Sequence, residues 1–397
     1  MFPKTHIELS AIKSMINNCY NKTSQTISIA RFPLAIMVVI IHSRTLNDPM
    51  PPLNLGDISG VDIAIVIQTL FSKVVSPMAI AAFYIISGYL FFYNIDSFSK
   101  KIYFSKLRKR VHSLAIPYLL WNAIYILWLF IKEIVKSARY GDIKSVAVNF
   151  IQQNFTLTSF WDCNLWGLTE TNWIGQTTPP NGPILIPLWF MRDLMVVVLL
   201  TPIIYFLIRR LKVLFLVILL FCYMSGVWPY IHGFSIVSVF FFSIGAFFSI
   251  NNKDMVKETW QVRFLPFVLY IPLTIIMLVT VGDNSELHDV LNTIYTLISA
   301  CVLFNISSLI SNSRLASKLI RLQGYSVFIY CAHSFIGFTI ANMILRLVSI
   351  GNYEDWLSVT ISYFMRIVIA VFVCVYLQKL LEKYCPKSLW LLIGKKS

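Results

Sequence analysis

The sequence predicts an all-α integral membrane protein, a bundle of about ten transmembrane helices with both termini in the cytoplasm. Of its 397 residues, 57% are hydrophobic and 13% are charged, whereas a soluble domain is about half apolar and about a quarter charged. The mean hydropathy is +0.71. Apolar runs long enough to cross a bilayer recur along the chain, and basic residues gather between alternate runs.

The predicted spans are apolar segments of about 20 residues, the length that a helix needs to cross a bilayer. They lie at residues 28–46, 64–95, 114–131, 184–208, 211–230, 234–250, 264–281, 290–310, 324–348 and 357–378. The second segment is too long for one straight span. We expect Ser76-Pro77 to divide it into a lead-in helix and a true span, because proline removes a helical N–H. No internal repeat is visible, which predicts that residues 1–397 form a single membrane domain.

The loop charges predict the orientation. If the N-terminus lies inside, the inner segments hold most of the 33 Lys and Arg residues, and the outer segments hold most of the 18 acids. This is the pattern of a protein whose two ends are both cytoplasmic. Residues 1–27 are then a polar cytoplasmic segment without the features of a removable signal peptide. We expect a multi-pass protein of the cell (inner) membrane.

The net charge of +15 does not indicate nucleic-acid binding, because the basic residues form short clusters between apolar segments rather than one patch. The seven cysteines are scattered, with neither a disulfide framework nor the spacing of a metal site. We therefore expect no bound metal. Membrane lipid is the expected surrounding partner, and the sequence does not determine the oligomeric state.

The first predicted span, Ser28–Arg44, carries two polar anomalies, Arg31 and His42. At about 100° and about 1.5 Å per residue, they lie on nearly the same helix face, about 16 Å apart along the axis. Two interpretations are open: an interface anchor with a satisfied interior histidine, or a functional pair, since an imidazole at that depth needs a reason. Arg366, deep in the last span, must likewise find a carboxylate, a carbonyl or water.

The second and third spans contain further motifs. In Phe83–Leu90, Ser87-Gly88 is expected to let another helix backbone approach closely, and taken alone it indicates a packing seam. The basic run Lys106–Arg110 precedes Ile116-Pro117-Tyr118. Such a cluster is ordinarily an orientation signal, although near Arg31 it would also suit the phosphates of a bound anion.

The fourth and ninth spans add polar groups at depth. Trp189 opens the fourth span and is expected to belong to the aromatic belt at the interface. Arg192 and Asp193 are adjacent, so we expect them to point in different directions and not to pair directly. In the ninth span, Tyr330 is followed three residues later by His333, an imidazole that either assists His42 or is structural.

Taken together and in order, these motifs resemble acyltransferase family 3, integral-membrane enzymes that O-acylate glycans. The matching segments are Arg31 with His42 (Arg or Lys, ten residues, His), Phe83–Leu90 (Phe-x-x-x-Ser-Gly-Phe/Tyr-Leu), Lys106–Tyr118 (a basic run before Ile-Pro-Tyr), Leu188–Phe190 (Leu-Trp-Phe) and Tyr330–His333 (Tyr-x-x-His). The family often has Arg-x-x-Arg before its third span. Here Arg110 takes the first position and Ser113 replaces the second, which weakens a bidentate anion contact.

The resemblance implies a membrane O-acyltransferase. It would move an acyl group, acetyl with succinyl as an alternative, from cytoplasmic acetyl-CoA to a hydroxyl of a cell-envelope glycan, an exopolysaccharide or a lipid-linked sugar. Whether His42 acts only as a base or carries the acyl group itself stays open. The residues implied are His42 and His333 for catalysis, Arg31, Arg110 and Lys106 for acyl-CoA binding, and Ser87, Trp189, Arg192 and Asp193 as supporting or acceptor-side groups.

The long predicted outer loop, residues 136–183, carries Trp161, Trp166 and Trp173 with several Asn and Thr residues. Aromatic rings with amides and hydroxyls suit a sugar acceptor, and long loops among short ones are often functional. The alternative is a loop that packs its tryptophans at the membrane interface.

The main rival is a polytopic transporter or flippase for a glycan or lipid-linked sugar, since intramembrane charge also marks transport paths. Against it, Asp193 is the one acid clearly inside a predicted span, and neither an inverted repeat nor a pair of broken helices is visible. A third interpretation, a non-enzymatic scaffold or sensor, predicts that Arg31 and His42 can be replaced with little effect.

Overall fold

The computed structural model describes residues 6–44, 60–95, 97–138, 143–162, 170–171, 177–178, 182–229, 231–281, 286–348 and 356–395. The structure of these residues is predominantly helical. A short antiparallel strand pair, β1 Glu170–Thr171 with β2 Thr177–Thr178, lies in the loop before the fourth predicted span. Of the loop tryptophans, Trp161 is described, whereas Trp166 and Trp173 lie outside the described residues.

The α-helices of the described residues are, in chain order, α1 His6–Ile41, α2 Gly60–Thr69, α3 Met78–Phe92, α4 Lys100–Arg110, α5 Ile116–Ser137, α6 Ile143–Asn154, α7 Trp189–Leu199, α8 Thr201–Leu211, α9 Val213–Ser225, α10 Ile236–Ile250, α11 Met255–Gln261, α12 Phe264–Val279, α13 Glu286–Leu309, α14 Arg314–Leu322, α15 Ser326–Ala332, α16 Phe338–Leu347, α17 Trp356–Tyr384 and α18 Pro386–Ile393. π-Helical turns occur at Leu70–Val75, Val111–Ala115 and His333–Gly337. The last two join α4 to α5 and α15 to α16 without a break in the helical path.

Length and hydropathy identify the membrane-spanning parts of the described chain. Six helical stretches are long and apolar enough to cross a bilayer, or up to eight if each of two bent helix pairs counts as one span. The remaining predicted segments correspond to the shorter apolar helices α9 and α12. The protein is therefore a predominantly helical, multi-pass membrane protein, as its composition predicts.

The second predicted span has the expected interruption. The π-helical turn Leu70–Val75 follows α2, and α3 begins at Met78, directly after Ser76-Pro77. Two further breaks were not predicted: the bend between α7 and α8 is 63°, and that between α10 and α11 is 103°. The prediction that the chain contains no paired broken helices is therefore wrong.

The break between α7 and α8 has a local cause. Pro202 lies in the first turn of α8 and has no N–H to donate to the carbonyl four residues earlier, that of Val198. The hydroxyl of Thr201 donates to this carbonyl instead, at 2.7 Å. The bend is thus stabilised by a side chain that replaces the missing backbone hydrogen bond.

Helix α1 lies at the centre of the bundle and contacts α3, α11, α13, α14, α15 and α17. Two faces of α1 pack into two different hydrophobic clusters. Ala30, Leu34 and Val38 pack with α3, α10 and α13, whereas Ala35 and Val39 pack with α5, α15 and α17. A helix that is apolar on all sides is stable only when neighbours surround it, and this arrangement buries the segment between Arg31 and His42.

Helices α3 and α10 cross at a reciprocal pair of glycines. A Cβ atom at Gly88 would collide with the backbone carbonyl of Phe242, and one at Gly245 would collide with that of Ile85. The close backbone approach expected at Ser87-Gly88 is therefore present. Small residues permit such contacts in membranes, where dispersion and packing rather than the hydrophobic effect hold helices together.

Replacing Gly88 by Ala tests this contact. The added methyl group meets backbone atoms, which cannot move as a flexible side chain can, so we expect a loss of about 1–3 kcal/mol of stability. The measurement is the thermal unfolding midpoint of the full-length protein in detergent. Gly324→Ala is the matched control, because a Cβ atom there meets nothing within 4 Å. Equal midpoints for the two variants would contradict the packing described.

Candidate active site

Three adjoining cavities lie beside α1, between a cluster of basic residues and His42. The basic cavity, of about 350 Å³, is lined by Leu90, Phe91, Lys106, Lys109, Arg110, His112, Ser113 and Gly394. The middle cavity, of about 300 Å³, is lined by Arg31, Phe83, Ser87, Arg110, Ser113, Leu114, Phe190, Met191, Leu194, Gln323, Ser326, Val327, Tyr330 and Ile393. The histidine cavity, of about 50 Å³, is lined by Val38, Ile41, His42, Ile80, Phe83, Pro187, Trp189, Phe190 and Tyr330.

Shared residues join the three cavities into one series. Arg110 and Ser113 line both the basic and the middle cavity. Phe83, Phe190 and Tyr330 line both the middle and the histidine cavity. Helices α1 and α15 run towards His42, whereas α3 and α7 run away from it. Along each of the four helices, the lining residues pass from one cavity to the next in the direction that the helix runs.

Three aromatic rings separate the middle cavity from the histidine cavity. The ring of Phe190 lies 5.8 Å from that of Phe83 and 6.2 Å from that of Tyr330, between centroids. The Tyr330 hydroxyl donates to the carbonyl of Pro187, which fixes its ring. A slender group fits this constriction better than a bulky one.

The basic end brings together cations from two elements that are distant in sequence. Arg31 of α1 and Arg110 of α4 line the same cavity, and Lys106 and Lys109 lie beyond them. The Arg110 guanidinium stands over the ring of Phe91, 6.0 Å from its centroid. Several cations around a partly enclosed space favour a polyanionic ligand.

The C-terminal helix α18 completes this end, which the motifs did not reveal. Gly394 has φ +67°, and a Cβ atom there would lie 2.6 Å from Cα of Ser113. The indole N–H of Trp121 donates to the carbonyl of Leu392 at 2.9 Å, which ties α18 to α5. A glycine at this position signals the end of a helix, but nothing in the sequence indicates that the helix closes a cavity.

The two imidazoles meet at the far end of the series. The ring centroids of His42 and His333 are 5.4 Å apart, and the ring planes are inclined by 31°. His333 is fully buried, and its Nδ1 lies 3.0 Å from the carbonyl of Ile329 and 2.9 Å from that of Tyr330. Because carbonyls only accept, Nδ1 carries the proton. Nε2 of His333 is thus an acceptor, and it has no hydrogen-bond partner among the described residues.

Helix α1 ends earlier than predicted, at Ile41 rather than residue 46, so His42 lies in the turn directly after it. The hydroxyls of Ser43 and Ser72 both donate to the carbonyl of Ile40, at 2.8 and 2.7 Å. Side chains that take a carbonyl in this way compete with the helical hydrogen bond and favour its termination. Residues 45 and 46 lie outside the described residues.

Arg366 of α17 finds its partners at this same turn. Its Nη1 donates to the carbonyls of Ser43 and Arg44, at 3.3 and 3.2 Å. Its guanidinium stands 4.5 Å from the centroid of Phe338, whose ring in turn contacts that of His333. This intramembrane arginine therefore supports the backbone next to His42.

Arg192 and Asp193 do pair directly, so the prediction that they cannot is wrong. Nε and Nη2 of Arg192 lie 3.0 and 2.9 Å from Oδ1 of Asp193, and both residues are buried. The rule that adjacent residues face apart describes their Cβ directions, whereas the long arginine side chain folds back. Arg192 also donates to the carbonyl of Trp161 at 2.8 Å and lies 3.8 Å from the buried Asp162, which contacts His232. The cluster anchors the middle of the long loop, at Trp161 and Asp162, to α7.

The cavity series gathers most of the residues singled out from the sequence. The cavity-lining residues among them are Arg31, His42, Ser87, Lys106, Arg110 and Trp189. His333 contacts His42, whereas Arg192 and Asp193 form their own cluster. Trp189, expected in the interface belt, lines the histidine cavity. Within the described part of the chain, no group of three or more His, Cys, Asp or Glu side chains is arranged to hold a metal ion.

Comparison with known protein families identifies the family of this chain. Residues 25–377 match the model of acyltransferase family 3, described as an acyltransferase domain. The match covers most of the chain, and the protein belongs to this family of membrane acyltransferases. No curated protein and no solved structure matches the chain.

Asp193→Asn tests the buried ion cluster. The substitution leaves the Arg192 guanidinium buried with less compensating charge, and we expect a loss of about 3 kcal/mol. The apparent melting temperature of the full-length protein in detergent should fall accordingly.

Glu133→Gln is the control for Asp193→Asn. Its carboxylate pairs with Lys136 at 3.6 Å, but its side chain is 44% exposed. Exposed pairs contribute about 1 kcal/mol or less, so this variant should melt close to wild type. A melting temperature for Asp193→Asn that matches the control would show that the cluster is not a structural anchor.

Proposed function

We propose that this protein transfers an acetyl group from acetyl-CoA to a hydroxyl of a cell-envelope glycan or exopolysaccharide. The observation that supports this most directly is the series of three adjoining cavities between a cluster of cations and His42. A donor with an anionic nucleotide at one end and a thioester at the other matches this arrangement of cations at one end and an imidazole at the other. Arg31 and His42, about 16 Å apart along α1, then contact opposite parts of one extended molecule.

The donor's phosphates bind at the basic end. Arg31, Arg110 and Lys106 supply charge-assisted hydrogen bonds, and Ser113 supplies a hydroxyl in place of a second arginine. The pantetheine arm occupies the middle cavity beside Ser87. Its thioester passes the aromatic constriction and reaches the histidine cavity.

His42 acts as the general base. It takes the proton of the acceptor hydroxyl as the oxygen attacks the thioester carbonyl, so that a C–O bond forms and the C–S bond breaks. The proton then passes to the leaving thiolate, giving the free thiol of CoA and the acetyl ester. His333, with its acceptor Nε2 near His42, assists by orienting or sharing this proton.

The size of the histidine cavity supports an acetyl group rather than succinyl. A cavity of about 150 Å³ holds benzene, with six heavy atoms, so about 50 Å³ holds two or three. An acetyl group fits this space, whereas a succinyl group does not and would also bring a carboxylate into an apolar pocket.

We further propose that ten spans cross the cell (inner) membrane, with both termini cytoplasmic and residues 1–397 forming one domain. The positive-inside charge pattern and the ten apolar helical segments support this topology. The basic cavity then faces the cytoplasm, where acetyl-CoA is made. The long loop carrying the half-exposed Trp161 lies on the acceptor side.

His42→Ala should abolish transfer, with a loss of at least about a hundredfold, because the general base is removed. The measurement uses oriented membrane vesicles supplied with labelled acetyl-CoA at the cytoplasmic face, and follows label into glycan. His288→Ala is the control, since His288 contacts Thr280 and does not line the cavities.

Unchanged transfer by His42→Ala would refute the proposed role of this residue. Folded wild-type protein that labels no acceptor from a range of glycans, while glycan crosses the membrane, would instead favour the transporter.

Ile80→Ala should widen the donor specificity, because it enlarges the histidine cavity by several carbon atoms. We expect the ratio of propionyl to acetyl transfer to rise about tenfold. Ile86→Ala makes the same change on the same helix but outside the cavity lining, and should leave the ratio unchanged. Equal ratios in both variants would show that this cavity does not hold the acyl group.

A further inference from the structure

Two polar side chains in the wall of the middle cavity have atoms without partners. Oε1 of Gln323 and Oγ of Ser326 are both buried, and neither makes a hydrogen bond with the described residues. Both residues line the cavity, and Ser326 is 6% exposed. Neither belongs to the motifs that indicated the family, and the functional proposal above assigns them no role.

Many hydroxyls elsewhere in these helices are satisfied locally. Thr274 donates to the carbonyl of Tyr270 at 2.7 Å, and Ser299 donates to that of Tyr295 at 2.6 Å. In an apolar bundle an unpaired polar group is unfavourable, so most side chains of this kind bond to the preceding turn. Ser326, at the start of α15, does not.

The backbone that carries these two side chains is fixed. Gln323 begins the 3₁₀ turn Gln323–Tyr325, which joins α14 to α15. The side-chain amide of Gln378 in α17 donates to the carbonyl of Gly324 at 3.3 Å and holds this turn in place. The unpaired atoms therefore belong to an ordered wall, which is the arrangement of a preformed binding site.

The two groups complement a secondary amide. The carbonyl oxygen of Gln323 accepts from an N–H, and the hydroxyl of Ser326 donates to a C=O. They share a helix face with Tyr330, about 10 and about 6 Å before it along the axis. An amide bound here lies between the cations at Arg31 and the constriction that leads to His42.

We infer that Gln323 and Ser326 form an amide-recognition site for the pantetheine arm of the donor. The inference rests on the proposed function, because it assumes a CoA thioester. That arm carries two secondary amides between its phosphate end and its thioester, so an amide must pass this part of the wall. A lipid acyl chain has no such groups and would favour an apolar lining.

The experiment compares two ligands on the purified full-length protein. Acetyl-CoA contains the pantetheine arm, whereas adenosine 3′,5′-bisphosphate carries the nucleotide phosphates without it. In the double variant Gln323→Leu/Ser326→Ala, we expect the dissociation constant of acetyl-CoA to rise about tenfold and that of the bisphosphate to stay unchanged. Ser243→Ala is the control, because its hydroxyl is also buried without a partner among the described residues but does not line the cavity.

The possible results separate the inference from the function on which it rests. Wild-type affinity for acetyl-CoA in the double variant would overturn the inference, and so would equal weakening of both ligands. Ser326→Ala, which removes one oxygen atom, should weaken acetyl-CoA selectively to a smaller extent and repeats the comparison with minimal disturbance. Wild-type protein that binds neither ligand would refute the CoA donor itself.

Discussion

The end of α1 inside the bundle is the constraint on which the site depends. A helix leaves its last carbonyl groups unpaired, and in a membrane interior these must find donors within the protein. The hydroxyls of Ser43 and Ser72 donate to the carbonyl of Ile40, and Arg366 donates to the carbonyls of the two residues after His42. Because these donors come from separate elements, they hold the turn in one position. His42 is thereby fixed against His333 and at the end of the cavity series.

Features that depend on local composition could be predicted from the sequence. The apolar segments are recognisable because a spanning helix needs about 20 such residues, and Pro77 marks a break because it lacks an N–H. Arg31 and His42 stand out because charged and polar groups are rare in such helices. Their spacing on one face follows from helical geometry alone. Family membership was predicted from these two residues together with four further motifs along the chain, and the family comparison confirms it.

Features that depend on side-chain reach or on distant segments could not be predicted. The pairing of Arg192 with Asp193 requires the side-chain conformation, which residue spacing does not give. The carbonyl partners of Arg366 are more than 300 residues away in sequence. Gln323 and Ser326 look like ordinary polar residues at the start of a helix, and only the cavity beside them distinguishes them. The bend before α8 coincides with Pro202, which is visible in the sequence. Composition alone does not show whether such a proline bends a span or simply begins a helix.

The glycine contact between α3 and α10 bears on the rigidity of the cavity walls. Backbone meets backbone at Gly88 and Gly245, so these helices cannot slide or separate without losing the whole contact. The α3 wall of the cavities, with Phe83 and Ser87, is consequently a fixed wall. On the opposite side of the basic cavity, α4 has no buried side chain and α18 is short. The basic cavity thus combines a tightly packed α3 wall with an α4 wall whose cations are not taken up in packing.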